Sequence, residues 1–139
     1  PDLVYVRLRE ASAVAILAPA ASTIAAARRT PPKVRGDVAL IRFASACQIH
    51  PLIAQSWRGR LRDKIVLAAN TGYRPGWVHF AARSATGTDL IDFLARHRPP
   101  GAGTEYGSGH AQATGGALRP QDWNDFAARI GFPEETVPQ

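Results

Sequence analysis

The residues best suited to chemistry fall in two stretches. Gly107-Ser108-Gly109-His110, running on through Ala111-Gln112-Ala113-Thr114 to Gly115-Gly116, sets glycines and a histidine into a short, weakly hydrophobic segment between two helix-like ones. Glycines let a backbone approach a ligand closely and turn its N–H groups toward an anion, and an adjacent imidazole can donate a hydrogen bond or carry charge. Arg83-Ser84 precedes Thr86-Gly87-Thr88 and a helix start, where a guanidinium, a hydroxyl and free helix N–H groups can meet an anionic oxygen. The two stretches together predict a phosphate or nucleotide-phosphate site. The plainer alternatives are a surface pairing of Arg83 with Asp89 or Asp92, and a loop His110 satisfied by backbone.

Other chemistries find little support. No Walker lysine follows the glycines, and Gly107-Ser108-Gly109 does not continue to the third glycine of a dinucleotide fingerprint. Ser108 does not sit in a Gly-x-Ser-x-Gly elbow. His50, His79, His97 and His110 lack the i, i+4 pairing of a helical zinc site and have no acidic residues at ligand spacing, so no self-contained metal centre is expected. His50 and His79 read as structural, and Tyr73 and Trp77 as packing residues that could alternatively stack on a base. Cys47 is the only cysteine, which removes intrachain disulfides and thiolate clusters, fits a reducing cytosol and leaves a small buried side chain as its reading. Seventeen basic against eleven acidic residues give a net charge of +6, which favours polyanionic partners, although the arginines form no run.

The elements that must position these residues can be read in order. With 139 residues, 45% of them hydrophobic, the chain is expected to form one domain with a core. The start at Pro1 and the lack of methionine read as a segment of a longer protein. Residues 11–27 are apolar, but Pro19, Ser22 and Thr23 interrupt the run, so neither a signal peptide nor a membrane span is expected; Ser22 can cap a helix ending at Arg28-Arg29. Thr30 to Gly36, with Pro31-Pro32, is the expected linker, leaving 1–35 as the tail of a preceding domain or a connecting segment and 36–139 as the main domain. Asp37 to Ala44 reads as a strand, Ile49 to Trp57 as a helix with Pro51 in its first turn and a stripe of Ile49, Leu52, Ile53 and Trp57, and Lys64 to Ala69 as a buried strand. After a turn, Trp77 to Arg83 alternates as a hairpin strand, with Trp77, His79, Ala81 and Arg83 on one face and Val78, Phe80 and Ala82 on the other. Thr88 is the expected cap of a helix bearing Leu90, Phe93 and Leu94, which Pro99-Pro100 stop. The glycine-rich stretch then reads as a loop, Ala117-Leu118 as a strand remnant, and Trp123, Phe126, Ala127 and Ile130 as a final helix face ended by Gly131. The fold class expected is α+β, a mixed β-sheet of about five strands with helices packed on it.

Taken with their spacing, Trp77-Val78-His79-Phe80-Ala81-Ala82-Arg83-Ser84, then Gly87-x-Asp89-Leu90-Ile91, then Gly107-Ser108-Gly109-His110-x-Gln112-Ala113-x-Gly115-Gly116 resemble the C-terminal, DHH-associated domain of DHH-family phosphoesterases. That group includes the RecJ-like single-stranded-DNA exonucleases and small-oligonucleotide phosphodiesterases. The resemblance spans residues 36 to 132, and Ser108 departs from the commoner glycine of the signature. It implies that Arg83 and Ser84 contact substrate phosphate and that Gly107, Ser108, Gly109 and His110 line the same site. It further implies a manganese pair in an N-terminal DHH domain outside this chain, since no Asp-His-His triplet occurs here; neither a catalytic residue nor a cofactor is expected within the 139 residues. The implied partners are single-stranded nucleic acid, an oligonucleotide or a nucleotide such as a bisphosphorylated adenosine, and the implied setting is cytoplasmic. A non-catalytic nucleic-acid or nucleotide-binding module is the alternative from a different functional class.

Overall fold

A computed structural model describes residues 31–139; the readings made for residues 1–30 lie outside the described residues. The described chain runs β1 (Lys33–Arg35), β2 (Val38–Phe43), α1 (His50–Arg60), β3 (Ile65–Asn70), β4 (Val78–Ser84), α2 (Leu90–Arg96), β5 (Tyr106–His110), β6 (Ala113–Leu118) and α3 (Pro120–Arg129). One mixed sheet of six strands has the order β1-β2-β3-β4-β6-β5. Only β2 and β3 are parallel, joined through α1; β3 and β4, β4 and β6, and β5 and β6 all pair antiparallel. The α+β class is as expected, with one strand more than the sequence indicated.

Alternation along the strands sorts side chains into two layers. Leu67, Val78, Phe80 and Ala82 pack with Leu90, Phe93, Leu94, Trp123, Phe126 and Phe132, which buries α2 and α3 on one face. Val66, Ala68 and Ala81 pack with Ile53, Ala54 and Trp57 of α1 on the other. Covered on both faces, β3 is buried at every position, which is why it reads as an unbroken apolar run. In α1, Leu52 of the predicted stripe is exposed, while Ala54 takes a buried place beside Ile53 and Trp57.

Two local readings need correcting. The described part of the presumed linker contains β1, a three-residue strand that pairs with β2 from Lys33↔Leu40 to Arg35↔Val38. Its strand character comes from a partner later in the chain and from the C-terminal segment, where Glu134 and Glu135 form ion pairs with Arg35 and Lys33. Charges of this kind also protect an exposed sheet edge. The glycine-rich stretch is likewise not a loop but the β5–β6 hairpin. Its glycines permit close approach of neighbouring backbones: a Cβ on Gly115 would stand 2.4 Å from the Phe80 carbonyl oxygen, and one on Gly109 2.6 Å from that of Ala113. At Gly107 the backbone turns through φ +79°, where the β5 register shifts between Tyr106 and Ser108.

Candidate functional site

The register of the last three strands builds a trough. Arg83 on β4 pairs with Ala113 on β6, and Ala113 pairs with His110 on β5. One step along, Ala81, Gly115 and Ser108 form the next row. Paired residues share a sheet face, so Arg83 and His110 flank small Ala113 with two strand spacings, roughly 10 Å, between their backbones. Helix α1 packs against β3 and β4 rather than β6, leaving this floor of small residues open. His50 and Pro51, at the start of α1, line a cavity of about 340 Å³ together with Arg83, Ser108 and Ala113.

Arg83 is half-buried, with Nη1 donating to the carbonyls of Ala82 and Thr114 at 2.9 and 3.2 Å. Among the described residues it forms no ion pair: Asp89 caps α2, and Asp92 pairs with Arg96. The charged group that acts on it is another cation, Arg58, whose Nε donates to the Ser84 carbonyl at 3.1 Å. Burial first, and Arg58 second, lower the Arg83 pKa. A guanidinium held at a cavity beside a second arginine and without a carboxylate is electrostatically prepared for an anion.

The other sequence-predicted residues divide. Ser108 lines the cavity and His110 is exposed on the same face. Gly107 and Gly109 shape β5 rather than line the cavity. Ser84 is fully buried, and its hydroxyl is engaged by the Thr86 hydroxyl and backbone N–H at 2.9 and 3.1 Å. It alternates away from Arg83 and supports the strand end. The start of α2 does not offer the free N–H groups expected there. The Asp89 carboxylate, one residue beyond the predicted cap, accepts from Ile91 and Asp92, while Leu90 and Phe93 donate to the carbonyls of Ala111 and Asp89. With those donors occupied, this helix end instead anchors the β5–β6 turn.

His50 and His79, read from sequence as structural, belong to the same cavity. His50 Nδ1 and His79 Nε2 are buried without a hydrogen-bond partner among the described residues. The rings lie 5.7 Å apart between centroids, and Tyr73 meets His79 edge-on at 4.9 Å. The available signal was the alternation that put His79 on the Arg83 face; His50 arrives through the β2–α1–β3 crossover, which no local pattern announces. Burial, then His79 and Arg83, push the His50 pKa down to about 4, and burial with Arg74 lowers that of His79. The unfolded chain therefore takes up these protons more readily. Stability contributed by neutral His50 is present above about pH 6.5 and lost as pH falls toward about 4. The thermal midpoint is expected to rise with pH across that window and to rise less steeply in His50→Gln, as measured by thermal unfolding monitored by circular dichroism.

A second concavity, about 370 Å³, lies between Arg42, Trp77 and the C-terminal residues. There Arg42 is engaged by Glu135 and the Thr136 carbonyl, and the Trp77 ring is occupied by Arg74 and Arg119 at 4.1 and 4.2 Å from its centroid. These cations are already matched, so the Arg83 trough is the better candidate for binding an anion. Among the described residues, no three His, Cys, Asp or Glu side chains come together to hold a metal, and the implied manganese pair has no ligand set in them. No helix among them is long and apolar enough to cross a membrane.

No protein-family profile matches the chain, and no curated protein matches it either. Among solved structures, it is similar to a pGpG-specific phosphodiesterase, PggH from Vibrio cholerae, with a TM-score of 0.51 and 16% identity. The match covers 79% of this chain but only 36% of that one, and at this identity the likeness is one of fold: a mixed sheet with helices packed on it, shared with part of a phosphodiesterase.

Proposed function

We propose that the chain is the substrate-binding, C-terminal domain of a manganese-dependent DHH-family phosphodiesterase that acts, RecJ-like, on single-stranded nucleic acid, short oligonucleotides or a nucleotide. In this reading Arg83 neutralises and orients a phosphoryl group, Ser108 and His110 donate to it across Ala113, and the small residues of β6 admit it to the sheet surface. Ser84, Gly107 and Gly109 hold the two strands in place. The metal-dependent chemistry belongs to a separate DHH domain. The observation that carries the reading is the half-buried Arg83, without a carboxylate partner among the described residues, beside Arg58 at an open cavity. The fold likeness to part of a pGpG-specific phosphodiesterase supports a nucleotide-type ligand.

Fluorescence anisotropy of the 139-residue chain with a labelled single-stranded oligonucleotide tests the reading. Binding is expected, and if two phosphates are neutralised the affinity should fall about sevenfold between about 50 and 200 mM salt. An absence of binding, or an affinity indifferent to salt, would count against a phosphate site. Manganese added to this chain is expected to give no cleavage. The same assay on a longer chain carrying an upstream DHH domain separates the enzyme from a non-catalytic binding module.

A further inference from the structure

The Arg83 end of the trough accounts for a phosphate but leaves His50, His79 and Tyr73 without a role. We propose, building on the phosphate reading above, that His50 and His79, backed by Tyr73, form a nucleobase subsite, so that the ligand lies along β4 with its phosphate at Arg83 and its base against the two imidazoles.

The geometry has three parts. First, His50 is only 5% exposed and lines the cavity, yet among the described residues its Nδ1 has no partner, and His79 Nε2 is also buried and unpartnered. Buried polar atoms are nearly always satisfied, so two orphaned ring nitrogens on residues that line one cavity are groups that a bound ligand, or a water it replaces, would satisfy. Second, both imidazoles are held neutral by burial and nearby arginines, and a neutral imidazole presents one donor and one acceptor. That pairing complements the mixed donor and acceptor edge of a nucleobase, whereas phosphate oxygens only accept. Tyr73, edge-on to His79, backs the two tilted imidazoles, whose rings add an aromatic surface suited to a planar base. Third, His79 and Arg83 share one strand face four residues apart, roughly 13 Å between backbones, with His50 between the two influences. This separation suits a nucleotide's two ends better than a lone phosphate.

Nitrogen-15 NMR of the histidine rings and backbone of the 139-residue chain tests this with three ligands: inorganic phosphate, a nucleoside and the matching nucleoside monophosphate. The nucleoside and monophosphate are expected to shift the His50 and His79 ring nitrogens, whereas phosphate alone shifts the Ala113 and Gly115 amides. His50→Gln and His79→Gln, each checked for an unchanged fold by its backbone spectrum, are expected to weaken monophosphate binding about tenfold while leaving phosphate binding intact. If phosphate shifts the imidazoles and the nucleoside does not, the base subsite is overturned and the rings belong to the phosphate site. If the Gly115 amide responds while the rings ignore every ligand, the base subsite falls and the Arg83 reading stands. Silence throughout overturns both.

Discussion

Arg83→Ala is expected to reduce affinity for a nucleoside monophosphate by roughly ten- to a hundredfold, corresponding to about 1.5 to 3 kcal/mol for charge-assisted hydrogen bonds to a phosphate. The loss should come without a loss of fold. Arg83 has no carboxylate partner among the described residues, and its charge is opposed by burial and by Arg58, so removing it leaves no acid stranded and relieves a repulsion. What the fold forfeits is the pair of Nη1 bonds to the Ala82 and Thr114 carbonyls, both part-buried. The thermal midpoint should therefore stay near that of the parent while isothermal titration records the weakened binding. Arg83→Lys should recover part of the affinity, because it keeps a cation but not the planar fork. Parent-like affinity in the alanine variant would remove the phosphate assignment, whereas parallel loss of affinity and midpoint would make Arg83 a structural residue.

The sequence and the structure agree where burial is local and periodic. Trp123, Phe126 and Ala127 lie against one apolar layer, so their helical spacing is visible without knowing what they pack on. Val78, Phe80 and Ala82 alternate for the same reason, and that alternation already put His79 and Arg83 together. Legibility fails where an element is made by its partners. β5 and β6 carry few β-branched or aromatic residues, and their glycines resemble a loop until the close approach of Phe80 and Ala113 is known. β1 is a strand because β2 and the distant Glu134 and Glu135 make it one. The site follows the same division. The types and spacing of Arg83, Ser108 and His110 single them out as candidates, and the strand register puts them on one sheet face, but the burial of Ser84 and the occupied start of α2 depend on contacts that only the folded chain supplies. His50 was missed as a cavity residue because a helical crossover, and not a motif, brings it beside His79.

Gly115→Ala is expected to be strongly damaging, costing about 3 kcal/mol of stability, the upper part of the overpacking range. The added Cβ would sit 2.4 Å from the Phe80 carbonyl oxygen and 3.3 Å from the Ala81 Cα. Both are backbone atoms of β4, which is clamped between β3 and β6, so no side-chain rotation can make room. β6 must move away from β4, and the displacement carries Ala113 and the Ser108 paired with Gly115 away from Arg83. Gly103→Ala is the control, since its Cβ would meet nothing within 4 Å. Urea unfolding should therefore show a lowered midpoint for Gly115→Ala and little change for Gly103→Ala. In titrations under conditions where both variants remain folded, only Gly115→Ala should lose phosphate affinity. If Gly115→Ala matches the parent in both measurements, β6 is not held tightly against β4, and the small-residue floor loses its role in positioning the site.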